Sequence, residues 1–164
     1  MNNNTIWIGN DHAGYDLKVH ILEYLKKKNI PYNNLGVDSS KENVRYPYYA
    51  AKVASAVSTG KAKRGILVCG SGIGMSIIAN KFKRVRASLC TSTYMGKMTR
   101  AHNDSNILCL GCKITGVWEG IEILEAWLTT EFEGGRHCIS LGLISEVEQN
   151  LNNPDEYIFS SSEV

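Results

Sequence analysis

A short apolar run that leads directly into a glycine loop constrains the fold of this chain more than any other segment. Gly65-Ile66-Leu67-Val68 is followed by Cys69-Gly70-Ser71-Gly72-Ile73-Gly74. An apolar run of this kind predicts a strand that is covered on both faces, as in a parallel sheet. The alternate glycines predict a tight turn, and a helix is expected to begin after it, near Met75. This segment therefore predicts a strand–loop–helix unit of a parallel α/β sheet.

The rest of the chain repeats this alternation of short apolar runs and amphipathic stretches. Further strands are predicted at 5–9, 32–35, 85–89 and 107–110, with helices between the strands and two more after the last one. The pattern predicts a three-layer, Rossmann-like α/β fold, in which a five-stranded parallel sheet carries helices on both faces. Trp118 and Trp127 are expected to pack in its core. Residues 1–150 are predicted to form one domain, and the polar residues 151–164 a C-terminal tail.

The composition excludes several classes of partner. The chain has 164 residues, with 18 Lys+Arg against 16 Asp+Glu, whereas nucleic-acid binding favours a basic stripe. No apolar run approaches the roughly 20 residues of a membrane-spanning helix, and the first residues do not resemble a signal peptide. The five cysteines are an odd number, which favours a reducing compartment over a disulfide framework. We therefore expect a cytoplasmic protein without nucleic-acid or membrane partners.

The glycine loop is predicted to bind an anion. Its backbone N–H groups can converge on one ligand, and the helix N-terminus behind them adds a partial positive charge. That charge also stabilises a thiolate at Cys69, which can therefore act as a base or a nucleophile. The GxGxG spacing fits neither a dinucleotide fingerprint nor a Walker A loop, and a phosphatase loop would need Arg at the position of Met75. The glycine loop is therefore predicted to be a binding site for a small anion, and the alternative is a tight turn that binds no ligand.

Several polar residues follow predicted strands or helices. Asp11 and His12 come directly after the first strand, His102 and Asn103 end a helix, and Arg136 follows two glycines. We expect the sheet to gather them at one edge together with the glycine loop. Cations for a phosphate, an acid–base pair and N–H donors for an oxyanion would suit proton transfer on a small phosphorylated substrate.

Cys109 and Cys112 form a CxxC pair, which is found in redox and zinc sites. No second Cys/His pair stands at zinc-finger spacing, and Cys109 lies inside a predicted strand. We therefore expect both thiols to be structural and predict no metal site.

Taken together, these motifs resemble one known family. Their order and spacing are similar to those of the B-type ribose-5-phosphate isomerases and the related galactose-6-phosphate isomerase subunits, over roughly residues 5 to 150. The matching segments are Asn10-Asp11-His12-Ala13-Gly14, Tyr46-Pro47, Cys69 to Gly74, Ala79-Asn80-Lys81, Arg100 to Asp104 and Glu133-Gly134-Gly135-Arg136-His137.

The resemblance implies a role for most of these residues. Cys69 would be the base that moves a proton between C1 and C2 of the open-chain sugar, through a cis-enediolate. His102 would open the furanose ring. The remaining roles are orientation of hydroxyls by Asp11, Ser71 and Asn103, enediolate binding by the amides of Gly70, Gly72, Ile73 and Gly74, and binding of the phosphorylated sugar by His12, Tyr46, Lys113 and Arg136.

The resemblance also implies a homodimer or homotetramer with shared active sites, and no metal or cofactor. One branch of the family has Gly at the position of Cys69 and a Glu base at that of Met75, so this chain matches the Cys branch. Lys113 and Ser140 stand where Arg is usual, and Arg45 where an acidic residue is common. These changes leave open a six-carbon substrate such as allose or galactose 6-phosphate, and also a non-catalytic sugar-phosphate binding protein.

Overall fold

The computed structural model describes residues 4–150, and within this range five strands alternate with six helices. The strands are β1 (Ile6–Asn10), β2 (Tyr32–Asn34), β3 (Gly65–Cys69), β4 (Ala87–Leu89) and β5 (Ile107–Gly111). The helices are α1 (Tyr15–Lys27), α2 (Tyr46–Ser58), α3 (Ile73–Ala79), α4 (Thr93–Asn103), α5 (Val117–Thr129) and α6 (Arg136–Gln149). The predicted tail at 151–164 lies outside the described residues.

All five strands are parallel and lie in the order β2-β1-β3-β5-β4. The connection through α1 leads from β1 to one side of the sheet, and the connection through α3 leads from β3 to the other side. The strand order therefore reverses between β1 and β3. In open parallel sheets, ligands bind outside the carboxyl ends of the strands at such a switch point.

Two apolar cores cover the two faces of the sheet, because successive residues of a strand point to opposite faces. In β3, Ile66 and Val68 pack in a core with residues of α1 and α5, whereas Leu67 and Cys69 pack in a core with residues of α2 and α3. β3 and β5 are buried along their whole length. These layers confirm the predicted three-layer, Rossmann-like fold.

The predicted elements are present with small displacements at their ends. β4 begins at Ala87 rather than Val85, because a turn in which Arg84 has a φ of 64° ends just before Val85, and Val85 and Arg86 connect this turn to the strand. α3 begins at Ile73, before Met75, so the last glycine of the loop is helical. Within residues 4–150, none of the helices combines the length and the apolar character that crossing a bilayer requires.

One tryptophan does not pack as expected. Trp127 is fully buried in the core, but Trp118 in the first turn of α5 is 88% exposed, so the expectation that it packs within this chain is wrong. Among residues 4–150, other exposed apolar side chains also follow the carboxyl ends of strands, and we consider four of them together with Trp118. We refer to this set as the carboxyl-edge apolar group, which comprises Ile73, Ile77, Tyr94, Ile114 and Trp118.

The last helix covers little of its own chain. Within the described residues, α6 buries none of its side chains. Ile139 on this helix is 68% exposed and Ile144 is 41% exposed. The helix α6 and the carboxyl-edge apolar group therefore both leave apolar surface exposed in the single chain.

Candidate active site

The crevice at the β1/β3 switch point contains two of the predicted polar residues. Asp11 and His12 follow β1 directly, and Asp11 is buried. Asp11 Oδ1 accepts the backbone N–H of Gly14 at 3.0 Å, which holds the turn into α1. His12 Nδ1 accepts the backbone N–H of Val44 at 3.2 Å. The neutral imidazole therefore carries its proton on Nε2, which is left as a donor.

The glycine loop forms the other wall of this crevice. Cys69 ends β3, and its Sγ accepts the backbone N–H of Gly72 at 3.1 Å. Gly72 has a φ of 76°, in the left-handed region that favours glycine. Ser71 Oγ accepts the N–H of Ile73 at 3.3 Å. The loop thus directs N–H groups toward side-chain acceptors at the start of α3.

Neighbouring segments approach the loop closely on two sides. Lys113, just after β5, donates its backbone N–H to Gly70 O at 2.9 Å. The Tyr46 ring at the start of α2 lies so near Gly74 that an added Cβ would be 2.6 Å from it. The structure therefore brings Tyr46 and Lys113 close to the loop.

We expect Gly111→Ala to damage this site. A Cβ at Gly111 would lie 2.5 Å from backbone atoms of Ser71, so the loop must move. Overpacking of this kind costs about 1–3 kcal/mol, and a small misplacement of a reacting group can lower turnover by roughly a hundredfold. Thermal unfolding and the kcat/KM of the isomerisation that the resemblance implies measure the two effects.

Gly116→Ala is the matched control for this substitution. Gly116 has a φ of −66°, and nothing lies within 4 Å of an added Cβ. Its loss of stability should stay below about 1 kcal/mol, as at other helix N-caps, with activity retained. Equal activities of the two variants would show that the loop does not depend on the fit between Gly111 and Ser71.

Three other cysteines are poor candidates for a base. Burial raises the pKa of Cys90 to about 12 and holds the pKa of Cys109 well above its ordinary value. Burial also raises the pKa of Cys112, whose Sγ donates to Ala13 O at 3.0 Å. These pKa shifts disfavour the thiolate form of all three residues.

The remaining predicted residues lie elsewhere. His102 and Asn103 end α4, which runs back from the carboxyl edge to the amino end of β5. Arg136 begins α6 in the same region, since Glu133 donates its N–H to Ala101 O. The expectation that one sheet edge gathers all the polar residues is therefore wrong for a single chain. The five residues of β5 alone separate the two edges by roughly 16 Å.

Two partners of His102 were not assigned a role from the sequence. The His102 and His137 rings stack with centroids 4.3 Å apart and planes at 13°. Glu133 Oε2 lies 3.7 Å from His102 Nε2 and 3.6 Å from His137 Nε2. The i,i+4 spacing of Glu133 and His137 on the sequence is the pattern that could have indicated this pair.

This His–Glu–His group also has the residue types of a metal site. In stacked rings, however, the nitrogen lone pairs lie in nearly parallel planes and do not converge on one point. Chelation would require one imidazole to leave the stack. The arrangement fits two imidazoles that share a carboxylate better than it fits a resident metal.

Comparison with known proteins identifies the family of this chain. Residues 6–144 match the family described as Ribose/Galactose Isomerase. Ribose-5-phosphate isomerase B of Escherichia coli is 41% identical over 147 residues, which cover 90% of this chain and 98% of that protein. D-erythrulose-4-phosphate isomerase of Pectobacterium atrosepticum is 43% identical over 131 residues, covering 80% of this chain and 86% of that protein.

Solved structures have the same fold. Ribose-5-phosphate isomerase B of Clostridium thermocellum is 44% identical, with a TM-score of 0.87 over 90% of this chain and 99% of that one. The enzyme of Mycoplasma genitalium with bound ribulose-5-phosphate is 37% identical, with a TM-score of 0.85 over 88% and 96% of the two chains. This chain belongs to the ribose/galactose isomerase family and is an isomerase, that is, an intramolecular oxidoreductase.

Proposed function

We propose that this isomerase interconverts D-ribose 5-phosphate and D-ribulose 5-phosphate through a cis-enediolate. The observation that carries the proposal is the position of the Cys69 thiol, which accepts the Gly72 N–H in the switch-point crevice. As thiolate it would take a proton from C2 of the aldose and return it to C1, while a proton passes from O2 to O1. C2 is oxidised as C1 is reduced, so no external oxidant is needed. The names of the E. coli and M. genitalium relatives support this substrate.

Backbone amides of the loop would hold the enediolate oxygen. In the free chain the N–H groups of Gly72 and Ile73 donate to Cys69 Sγ and Ser71 Oγ. An oxygen that gains negative charge is a stronger acceptor than either of these. The same N–H groups, with those of Gly70 and Gly74, would therefore bind the transition state better than the ground state.

His12 and Lys113 would bind the phosphate on the carboxyl edge. His12 offers Nε2 as a donor because its Nδ1 is occupied by Val44. The Lys113 side chain lies beside Gly70, with its Cδ 3.7 Å from the position of an added Cβ. Asp11 and Ser71 in the same crevice would orient sugar hydroxyls, and Tyr46 would line the crevice.

We propose that His102, Asn103 and Arg136 reach this crevice from a second protomer. Within one chain they lie at the opposite edge of the sheet, so they cannot meet the substrate that Cys69 holds. In an oligomer the amino edge of one protomer can face the carboxyl edge of another. His102 would then open the ring, Asn103 would orient hydroxyls, and Arg136 would bind the phosphate.

Exposed apolar surface supports such an oligomer, either a homodimer or a homotetramer. The carboxyl-edge apolar group surrounds the crevice, and α6 leaves Ile139 and Ile144 exposed. Apolar surface of this kind is typical of an interface between proteins. Burial of both surfaces between protomers would bring Arg136, on the first turn of α6, toward the crevice.

Other sugar phosphates are the second candidate substrates. The Pectobacterium relative is named for a four-carbon ketose phosphate, and allose or galactose 6-phosphate would add one carbon to the pentose. Ser140 supplies no charge where a second Arg is usual, which leaves the substrate more open than the type of reaction.

Steady-state assays with four substrates test the proposal. We expect the kcat/KM for ribose 5-phosphate to exceed those for erythrulose 4-phosphate, allose 6-phosphate and galactose 6-phosphate by roughly tenfold or more, as a one-carbon difference allows. A higher value for any of the other three would assign that substrate instead. Turnover of none of the four would contradict the proposed substrate and leave the family assignment intact.

A further inference from the structure

A basic cavity lies at the amino edge of the sheet, away from the switch-point crevice. Its volume is about 460 Å³, which is within the range of small-molecule sites. The segments before β3, β4 and β5, together with the ends of α2 and α4, form its walls. Among residues 4–150, five cations line it, namely Lys63, Arg64, Arg84, Arg86 and Arg100, against one carboxylate, that of Asp104.

Part of this positive charge is used within the protein. Asp104 accepts from Arg86 at 2.8 Å and from Arg100 at 2.7 Å. Arg84 and Arg86 also donate to carbonyls at the ends of α2 and α4. The two helix C-termini contribute about half a negative charge each, so with Asp104 they balance about two of the five cations. Glu131 and Glu148 lie near Arg64 and Arg84 but do not line the cavity.

The guanidinium groups of the cavity affect each other. Burial and the charge of Arg100 lower the pKa of the Arg64 guanidinium from its ordinary value. Arg100 is buried, and among the described residues its Nε has no hydrogen-bond acceptor. A bound anion would relieve the repulsion between these guanidinium groups.

We propose that this cavity is a second anion site, which binds a small molecule through a phosphoryl group held by Lys63, Arg64, Arg84 and Arg86. Guanidinium groups match phosphate oxygens in geometry. Arg100 and Asp104 stand two residues from His102, on a different face of α4, so the cavity is separate from the His102–His137 stack. The site does not depend on the proposed function, because no residue of the switch-point crevice lines it.

Phosphate titration followed by ¹H–¹⁵N NMR tests the proposal on the intact protein. With inorganic phosphate as the probe, at constant ionic strength, we expect saturable shifts of the Ala62 and Asn106 amides, which line the cavity. The Gly70 and Gly72 amides report separately on the proposed active site. Shifts confined to the glycine loop would overturn the second site. Tighter binding of glycerol 3-phosphate would identify an esterified ligand, and tighter binding of phosphate the free ion.

A pair of double variants with equal charge makes the test specific. Lys63→Gln with Arg84→Gln removes two exposed cations of the cavity, and phosphate binding there should weaken about tenfold or more. Lys26→Gln with Lys27→Gln removes two exposed cations at the end of α1 and should leave the affinity unchanged. Equal weakening by both pairs would show only a general effect of net charge.

Discussion

Cys69→Ser should lower the kcat of the isomerisation by about a thousandfold while the protein stays folded, since a general base contributes roughly 10²–10⁴. Serine is close to cysteine in size, and its Oγ can accept the Gly72 N–H that Cys69 Sγ accepts at 3.1 Å. The loop geometry should therefore survive. The serine hydroxyl is far less acidic than the cysteine thiol, so it does not form the anion that would take the proton from C2. Steady-state kinetics with ribose 5-phosphate and solvent deuterium incorporation at C1 of the ribulose 5-phosphate product both measure the loss.

Cys90→Ala is the control for this variant. Cys90 is buried at the end of β4, and burial raises its pKa to about 12, so it does not form a thiolate at neutral pH. Its replacement should reduce stability through the lost packing but leave kcat close to that of the parent. Retained turnover in both Cys69→Ser and Cys69→Ala would remove Cys69 from the mechanism and leave the family assignment intact.

Mixing two inactive variants should restore activity if the active site is shared between protomers. Cys69→Ser lacks the proposed base at the carboxyl edge, and His102→Asn lacks the proposed ring-opening group at the amino edge. If the two exchange randomly as dimers, half of the dimers are mixed, and each mixed dimer contains one intact site. The mixture should then recover about a quarter of the parent activity with ribose 5-phosphate.

A second mixture controls for recovery by other means. Asp11 and Cys69 lie in the same crevice of the same chain, so a mixture of Asp11→Asn with Cys69→Ser should stay inactive. Recovery in this mixture to the same extent would contradict the assignment of both residues to one protomer. No recovery in the first mixture, with subunit exchange shown by mass spectrometry, would contradict the shared site.

Local patterns in the sequence predict the fold and the glycine loop well. β3 is recognisable because a strand buried on both faces must be apolar throughout, and the turn after it needs glycine at Gly72, where φ is 76°. Asp11 and His12 can be placed because a residue that directly follows a strand of a parallel sheet lies at its carboxyl edge. In each case the position of the residue follows from its immediate neighbours along the chain.

Two features of the amino edge, the His–Glu–His group and the basic cavity, depend on contacts between distant segments of the chain, and spacing along the sequence does not predict such contacts. His102 lies at the end of a helix. Helices that connect parallel strands run in the direction opposite to the strands, so His102 lies at the amino edge of the sheet and not at the carboxyl edge. The stack with His137 joins two segments that are 35 residues apart. The basic cavity is formed by single cations spread from Lys63 to Arg100, and the near-neutral composition of the whole chain conceals them.

The bare helix α6 has a consequence for how activity arises. It has 14 residues, and within the described part of the chain none is buried, while isolated helices of about this length are marginal in water. If the proposed oligomer covers α6, the amide hydrogens of this helix should exchange rapidly in a dissociated protomer and slowly in the assembled protein. Because Arg136 and His137 belong to its first turn, the ordering of this helix would couple assembly to catalytic competence, and a lone chain would be inert toward the sugar phosphates of its surroundings.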